Sequence, residues 1–262
     1  MKVSIITVSH NSASTIRDTF ESVLNQTYTD IDYIVVDGNS TDKTVSIIKE
    51  YEPRFNGRMR WISEPDNGLY DAMNKGIRIA GGDVIGIINS DDFYHRNDTI
   101  EKVAAVFIEN KDIQAVFGDV RFVNHNNLEK TVRYYSSKNF IPQKLRFGFM
   151  PAHPTFFTYK DNFDKFGYYQ TDYKIAADYE LLIRFLYKNK IVYKYLPFDF
   201  MKMRNGGVST ASFKNRIILN QEFLRGCKEN GIYTNFFILF MRYFVKVSEL
   251  IFVRQNIRNT DS

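Results

Sequence analysis

What most constrains this chain is the alternation, across its first 110 residues, of short β-branched apolar runs with stretches of helical periodicity. The runs at 3–8, 31–36, 59–62 and 84–88 have strand length, and the intervening stretches at 14–26, 44–51 and 69–80 read as helices. Consecutive strands separated by helices predict an α/β fold, because a parallel pair needs a crossover and the crossover helix covers a face of the sheet. Ligands of such sheets bind outside the carboxyl ends of the strands. His10, Asp37 and Asp91 fall at those ends. After a helix at 99–109 the texture changes. Strands are expected at 114–124 and 131–135 around the polar turn of Asn124, His125, Asn126 and Asn127, which predicts a mixed or antiparallel portion. A strand at 155–159, a helix at 175–187, short strands at 191–195 and 200–203, and a mostly helical remainder beyond Gly206 complete the reading.

The strand ending at Ile88 runs through Asn89 and Ser90 into Asp91 and Asp92. Adjacent carboxylates at the end of a buried strand repel one another unless a cation or a hydrogen-bond network holds them, which makes Asp91 and Asp92 candidate ligands of a divalent metal carrying a diphosphate. The alternative is a strand-end turn whose acids cap the next helix. No GxGxxG follows the first strand and no GxxxxGK[ST] occurs, so neither common phosphate cradle is available. Asp37 can accept hydrogen bonds from an imide base or a ribose hydroxyl, or simply cap the turn from Gly38 to Thr41. The segment from Ser63 to Gly76 breaks at Pro65 and at Asn67-Gly68, then opens a helix on which Asp71 and Lys75 share a face. Those two form either a surface ion pair or part of a site, since free N–H groups at a helix start favour phosphate.

Taken together, Ser9-His10-Asn11, Asp37-Gly38-Asn39-Ser40-Thr41-Asp42, the run from Glu64 to Gly76 and Asn89-Ser90-Asp91-Asp92 resemble, in order and spacing over about residues 1 to 205, a family 2 glycosyltransferase of the GT-A fold. The resemblance implies a Rossmann-like, mainly parallel central sheet with helices on both faces, a nucleotide-diphosphate-sugar donor of the UDP type, Mg2+ or Mn2+ as cofactor, and inversion at the anomeric carbon. By the match, Ser9, His10 and Asp37 contact base or ribose, Asp91 and Asp92 meet ribose and metal-diphosphate, and Asn67, Gly68, Asp71 and Lys75 border the donor. Two departures stand out: His10 occupies a position where tyrosine is common, and Asn89 one where an aspartate often precedes the acids. Asp178, in Ala176-Ala177-Asp178-Tyr179-Glu180-Leu181, resembles the family's base motif, with Ala177 in place of a glutamate; Glu180 is its rival. A helix start favours the ionised form a base needs. His153, between Met150-Pro151-Ala152 and Pro154, resembles a position that often faces the site, although such a histidine also serves structure. Arg204 with Gly206 and Gly207 reads as a loop able to close over a diphosphate, or as a linker.

The organisation expected is a domain over 1–210, with a nucleotide half at 1–110 and an acceptor half at 111–210, and a helical basic tail over 211–262. From Met201 onward ten Lys or Arg stand against four Asp or Glu, so the net charge of +5 resides in the tail. Residues 232–253 mix Phe236, Phe237, Phe240 and Phe244 with Arg242, Lys246 and Glu249. Central charges make a spanning helix expensive, so peripheral membrane contact, packing on the domain or a homodimer are the readings open to it. Clustered apolar aromatics fit nucleic acid poorly. Membrane contact would suit a saccharide acceptor carried on a lipid, in surface polysaccharide assembly. A single cysteine, Cys227, requires no oxidising compartment, and the first eight residues are too short for a signal peptide's apolar core, so a cytoplasmic setting is expected. Two other classes compete: a nucleotidyltransferase forming sugar nucleotides, disfavoured because residues 9–14 contain neither Gly nor Lys, and a silent saccharide-binding or membrane scaffold protein.

Overall fold

The computed structural model describes residues 1–205 and 212–241. Strands β1 (Val3–Ser9), β2 (Ile31–Asp37), β3 (Met59–Ser63) and β4 (Val84–Asn89) form a parallel sheet in the order β3-β2-β1-β4. β1 and β2 are buried at every position, so they lack strict apolar–polar alternation, and their buried polar side chains pair with one another, Ser4 with Asp32 and Thr7 with Tyr33. Successive side chains enter opposite cores. Ile5, Tyr33 and Val35 pack beneath α1 (Ile16–Leu24), α2 (Thr44–Tyr51) and α4 (Thr99–Glu109), while Ile6, Ile34 and Val36 pack against α3 (Leu69–Ile79) and the later helices. The alternation read from the sequence is thus a two-sided α/β sheet.

Beyond α4 the sheet becomes mixed. β8 (Phe157–Tyr159) is antiparallel to both β4 and β6 (Ala115–Asn124), so β6 runs in the direction of β4; β9 (Tyr193–Arg204) is parallel to β6, and β7 (Asn127–Tyr135) forms the expected hairpin with it. A two-residue strand, β5 (Phe93–Tyr94), pairs with β9 at the far end of the sheet.

Four local expectations need correction. The short strands at 191–195 and 200–203 are one strand, β9, because the register shifts opposite Gly118 instead of ending; Pro197 lacks an N–H for the ladder and a bulge absorbs it. The strand at 155–159 starts only at Phe157, after a 3-10 turn over His153–Thr155 that contains Pro154. The helix at 175–187 is a six-residue α6 (Ala177–Leu182) continuing as a π-helix over Ile183–Lys188. An unforeseen helix, α5 (Lys160–Phe166), follows β8 directly. The tail is helical where it is described, in α7 (Phe213–Glu229) and a turn over 236–241. The glycine loop after Arg204 and most of the stretch at 232–253 lie outside the described residues. Among the described residues no helix is long and apolar enough to cross a membrane.

Packing across β4 is tight. A Cβ placed on Gly86 would lie 2.2 Å from Cε1 of the fully buried Phe157 ring on the neighbouring strand. Gly86→Ala is expected to lower stability by about 1–3 kcal/mol, as overpacking of a filled core does, read as a lower urea midpoint at unchanged m-value.

Candidate active site

At the carboxyl ends of β1 and β2, Asp37 is wholly buried and its carboxylate accepts four hydrogen bonds. Ser9 Oγ (3.1 Å) and Ser40 Oγ (2.5 Å) donate to one oxygen, the Ser40 N–H (2.9 Å) and Ser63 Oγ (2.7 Å) to the other. A carboxylate offers about four acceptor positions, so here it ties three strand ends together. Ser9 is engaged in the same network. His10 is exposed beside it. Its Nδ1 lies 3.0 Å from the Gly38 carbonyl and its Nε2 3.2 Å from Asn11 Nδ2; both are hydrogen bonds when Nδ1 carries the proton. Asn11 and Asn39 adopt positive φ angles of 50° and 60°, and Asn11 Oδ1 accepts from the Thr41 N–H at 2.9 Å, so the two loops brace each other.

The start of α3 differs from the expectation of free N–H groups. Asp71 accepts from the Asn67 N–H (3.0 Å) and Asp66 from the Gly68 N–H (2.9 Å). Two carboxylates already serve the positive end of this helix, an arrangement suited to donor hydroxyls or N–H groups more than to phosphate. Lys75 folds back onto Glu64 (2.9 Å) and the Pro65 carbonyl (2.8 Å), and lies 3.8 Å from Asp71. Asp66 also reaches under the β2 loop, where a Cβ on Gly38 would meet Asp66 Oδ2 at 2.5 Å and His10 Nδ1 at 3.4 Å. His10, Asp37, Asp66, Asn67 and Gly68 are therefore one neighbourhood.

The acids at the end of β4 part company. Asp91 is exposed, whereas Asp92 is 1% exposed; Asn89 Nδ2 donates to one of its oxygens at 3.2 Å and Thr19 Oγ1 to its carbonyl at 2.7 Å. Burial, then the charge of Asp91, push the Asp92 carboxyl well above the usual range. Asp92 Oδ1 and Asn89 Oδ1 are both buried without a hydrogen-bond partner. Arg204 is brought to this point by the end of β9, donating to the Asp91 carbonyl and pairing with Asp18, its guanidinium 5.3 Å from the Phe93 ring centre. It is a strand residue here, anchored at the acids. Among the described residues no three His, Cys, Asp or Glu side chains enclose an ion by themselves. The orphaned oxygens and the exposed carboxylate fit a cation that takes its remaining ligands from phosphate and water, as Mg2+ commonly does.

Asp178 lies at the first turn of α6, half-buried, its carboxylate accepting from the Tyr179 N–H at 2.8 Å and close to Tyr70 of α3, whose hydroxyl donates to the Ile175 carbonyl. Burial pushes its carboxyl up, with His153 opposing. The sequence predicts that the helix start favours the ionised form; here burial pushes the carboxyl the other way, upward. His153 is buried, its Nε2 2.7 Å from Tyr169 Oη, and burial lowers its basicity while Asp178 raises it. Tyr169 stacks on Tyr70 at 5.7 Å. The turn bearing His153 packs on β4, the strand that ends in the acids. Glu180, the rival base, is excluded by its surroundings: 1% exposed, it is held by Arg184 (2.7 Å) and Asn230 (3.1 Å).

Sequence reasoning missed Tyr70, Tyr169, Asp18 and Glu222. Glu222 on α7 accepts three successive N–H groups, those of Lys174 (2.7 Å), Ile175 (2.9 Å) and Ala176 (2.8 Å), immediately before α6. Tyr70 Oη donates to the Ile175 carbonyl at 2.6 Å. Nothing local announces Glu222, because its partners are more than forty residues away. Tyr70 and Asp71 did lie inside the quoted run, where only the charged residue drew notice.

The glycosyl transferase family 2 model matches residues 4–167. A PGL/p-HBAD biosynthesis glycosyltransferase of Mycobacterium bovis is 28% identical over 223 residues, 85% of this chain and 82% of that protein. An uncharacterized glycosyltransferase of Mycobacterium tuberculosis is 33% identical over 70% of this chain and 68% of its own length. Chondroitin synthase of Pasteurella multocida is 28% identical over 89% of this chain, which corresponds to 24% of that longer protein. Among solved structures, residues 1–349 of S. aureus TarS in complex with UDP-GlcNAc superpose with a TM-score of 0.65 at 17% identity, covering 89% of this chain and 68% of that one; this chain spans 40% of the longer TarS structure. The mannosyltransferase PcManGT of Pyrobaculum calidifontis, in complex with GDP-Man and Mn2+, gives 0.62 at 18% identity over 87% of this chain and 63% of its own. With the family model covering more than half of the sequence and the same mixed sheet beneath it, the chain belongs to glycosyl transferase family 2.

Proposed function

We propose that this glycosyltransferase moves a sugar from a UDP-sugar to a saccharide hydroxyl with inversion, the acceptor being lipid-linked and destined for a surface polysaccharide. The observation that carries the reading is Asp178: a carboxylate whose surroundings include Tyr70, Tyr169 and His153, the last on a turn that packs on β4, the strand leading into Asp91 and Asp92. The UDP-GlcNAc held by TarS supports a UDP donor.

In this reading the acceptor oxygen bonds to the anomeric carbon as the bond from that carbon to the diphosphate oxygen breaks, and Asp178 takes the hydroxyl proton. Burial raises the proton affinity of Asp178, the direction a base needs. The Tyr179 N–H fixes the carboxylate, with Tyr70 and His153 beside it. Ser9, His10 and Asp37, with Asn67, Gly68 and Asp71, frame the base and ribose; Asp37 acts by shaping that wall, and Lys75 holds the loop through Glu64. Asp91, with Asp92 behind it, would hold Mg2+ or Mn2+, which when bound neutralises the departing diphosphate. Arg204 adds positive charge beside Asp91.

Thermal unfolding tests the donor half. UDP near a hundredfold its dissociation constant should add about 2.7 kcal/mol of stability, only with Mn2+ or Mg2+ present, and Asp91→Asn should remove the gain. An equal gain in EDTA would count against the metal-diphosphate reading.

A further inference from the structure

We propose that the outer face of α7 and the adjoining turn over 236–241 form a docking surface for an anionic phospholipid bilayer. Phe213 is 78% exposed, Tyr233 72% and Phe237 74%, and Ile217, Phe236 and Phe240 are also exposed, a density of large apolar side chains far above the scattered background of an ordinary surface. Asn220 of α7 and Phe236, Phe237 and Phe240 line one concavity, which joins the helix to the turn. Phe213 and Ile217 are one helical turn apart, and Lys214 and Lys228 lie within about 60° of Ile217 around the helix axis. Lys214, Arg216 and Lys228 are exposed and have no ion-pair partner among the described residues, while both acids of α7 are engaged: Glu222 with backbone N–H groups and Glu229 with Arg225 and Tyr173. The face continues into the 3-10 turn Pro142–Phe147, fastened by Thr234 Oγ1 donating to the Arg146 carbonyl at 2.6 Å; Phe147 is exposed there, with the Arg146 guanidinium 5.4 Å from its ring centre.

Aromatic rings interleaved with amines are the chemistry of a membrane interface, where rings enter the headgroup boundary and cations meet lipid phosphates. A second copy of the chain fits less well. An isologous dimer would set two faces carrying Lys214 and Lys228 against each other while both acids of α7 are already engaged within the chain. The surface stands independently of the sugar-transfer reading, because its readout is binding.

The test is co-sedimentation of the full chain with vesicles of phosphatidylcholine, with and without phosphatidylglycerol. Binding is expected only to the anionic vesicles, falling with added salt, and about tenfold weaker in the doubles Phe236→Ser/Phe237→Ser and Lys214→Glu/Lys228→Glu. Donor-induced thermal shifts should be the same in both doubles as in the parent, which shows that they fold and separates this proposal from the catalytic one. Binding indifferent to phosphatidylglycerol, or unchanged in the doubles, overturns it. So does absence of vesicle binding together with a dimer, by light scattering, that the phenylalanine double dissolves.

Discussion

Asp178→Asn is expected to lower kcat by 10²- to 10⁴-fold, the span that a positioned general base contributes, while leaving the affinity for a UDP-sugar unchanged. The split follows from partners: Asp178 is surrounded by Tyr70 and His153, and none of the hydrogen bonds that organise Ser9, His10 and Asp37 involves it. A loss confined to donor affinity would remove Asp178 from the chemistry. The pH profile carries a second signature. Burial raises the Asp178 pKa, and the base must be ionised, so activity should fall as pH drops through a value above that of an ordinary carboxylate, about 3.9. Stability runs the other way. Between the unfolded and folded pKa values the native state holds a proton that the unfolded chain has lost, so stability declines as pH rises through that window and stays lower above it. At neutral pH the Asn variant should therefore melt no lower than the parent, and a measured rise in Tm alongside lost turnover is the expected pair.

The largest structural effect is expected from Arg184→Leu. All five guanidinium N–H groups are used: Nε and Nη2 on Glu180 (3.0 and 2.7 Å), Nη1 on the Phe166 and Gly167 carbonyls (2.5 Å each), and Nη2 on the Tyr168 carbonyl (2.8 Å). Gly167, at a φ of +93°, allows this approach, since a Cβ there would stand 2.9 Å from Nη1. Truncation strands a buried carboxylate, which costs about 3–5 kcal/mol, or about 10 °C in Tm for a domain of this size. The double variant Arg184→Leu/Glu180→Leu should recover part of that loss in the same melt, because two matched apolar side chains leave no charge behind. If the single change costs less than about 1 kcal/mol, the pair is not the bolt the geometry describes.

The readable parts of this molecule are those in which local sequence and global role coincide. β1, β2 and β4 are largely apolar because both faces are covered, and their carboxyl ends lead to Ser9, Asp37, Asn89 and Asp91, while β3 is a partly exposed edge strand. Asp178 and His153 were legible through short motifs, and they meet in space. What stayed hidden depends on distant partners. The insertion of β8 between β4 and β6 brings residues far apart in sequence side by side, and no periodicity reports such a pairing. β9 looked like two strands because Pro197 and Asp199 interrupt its pattern where a bulge does so in space. Glu180 and Asp178 are two residues apart and chemically alike; only burial among Arg184 and Asn230 tells them apart.

Glu222 carries one more implication, for recombination. Its carboxylate hangs the stretch from Lys174 to Ala176 on α7, while Tyr179 stacks on Phe223 of the same helix at 3.9 Å. A chimera joining this sheet to the terminal helices of another family member would inherit motifs intact yet leave Asp178, the proposed base, on an unsupported turn, unless the donor parent supplies a carboxylate at the same height. A seam for exchanging modules therefore does not lie before α7, nor directly after it, where Asn230, Ile232 and Leu239 are still built into the domain.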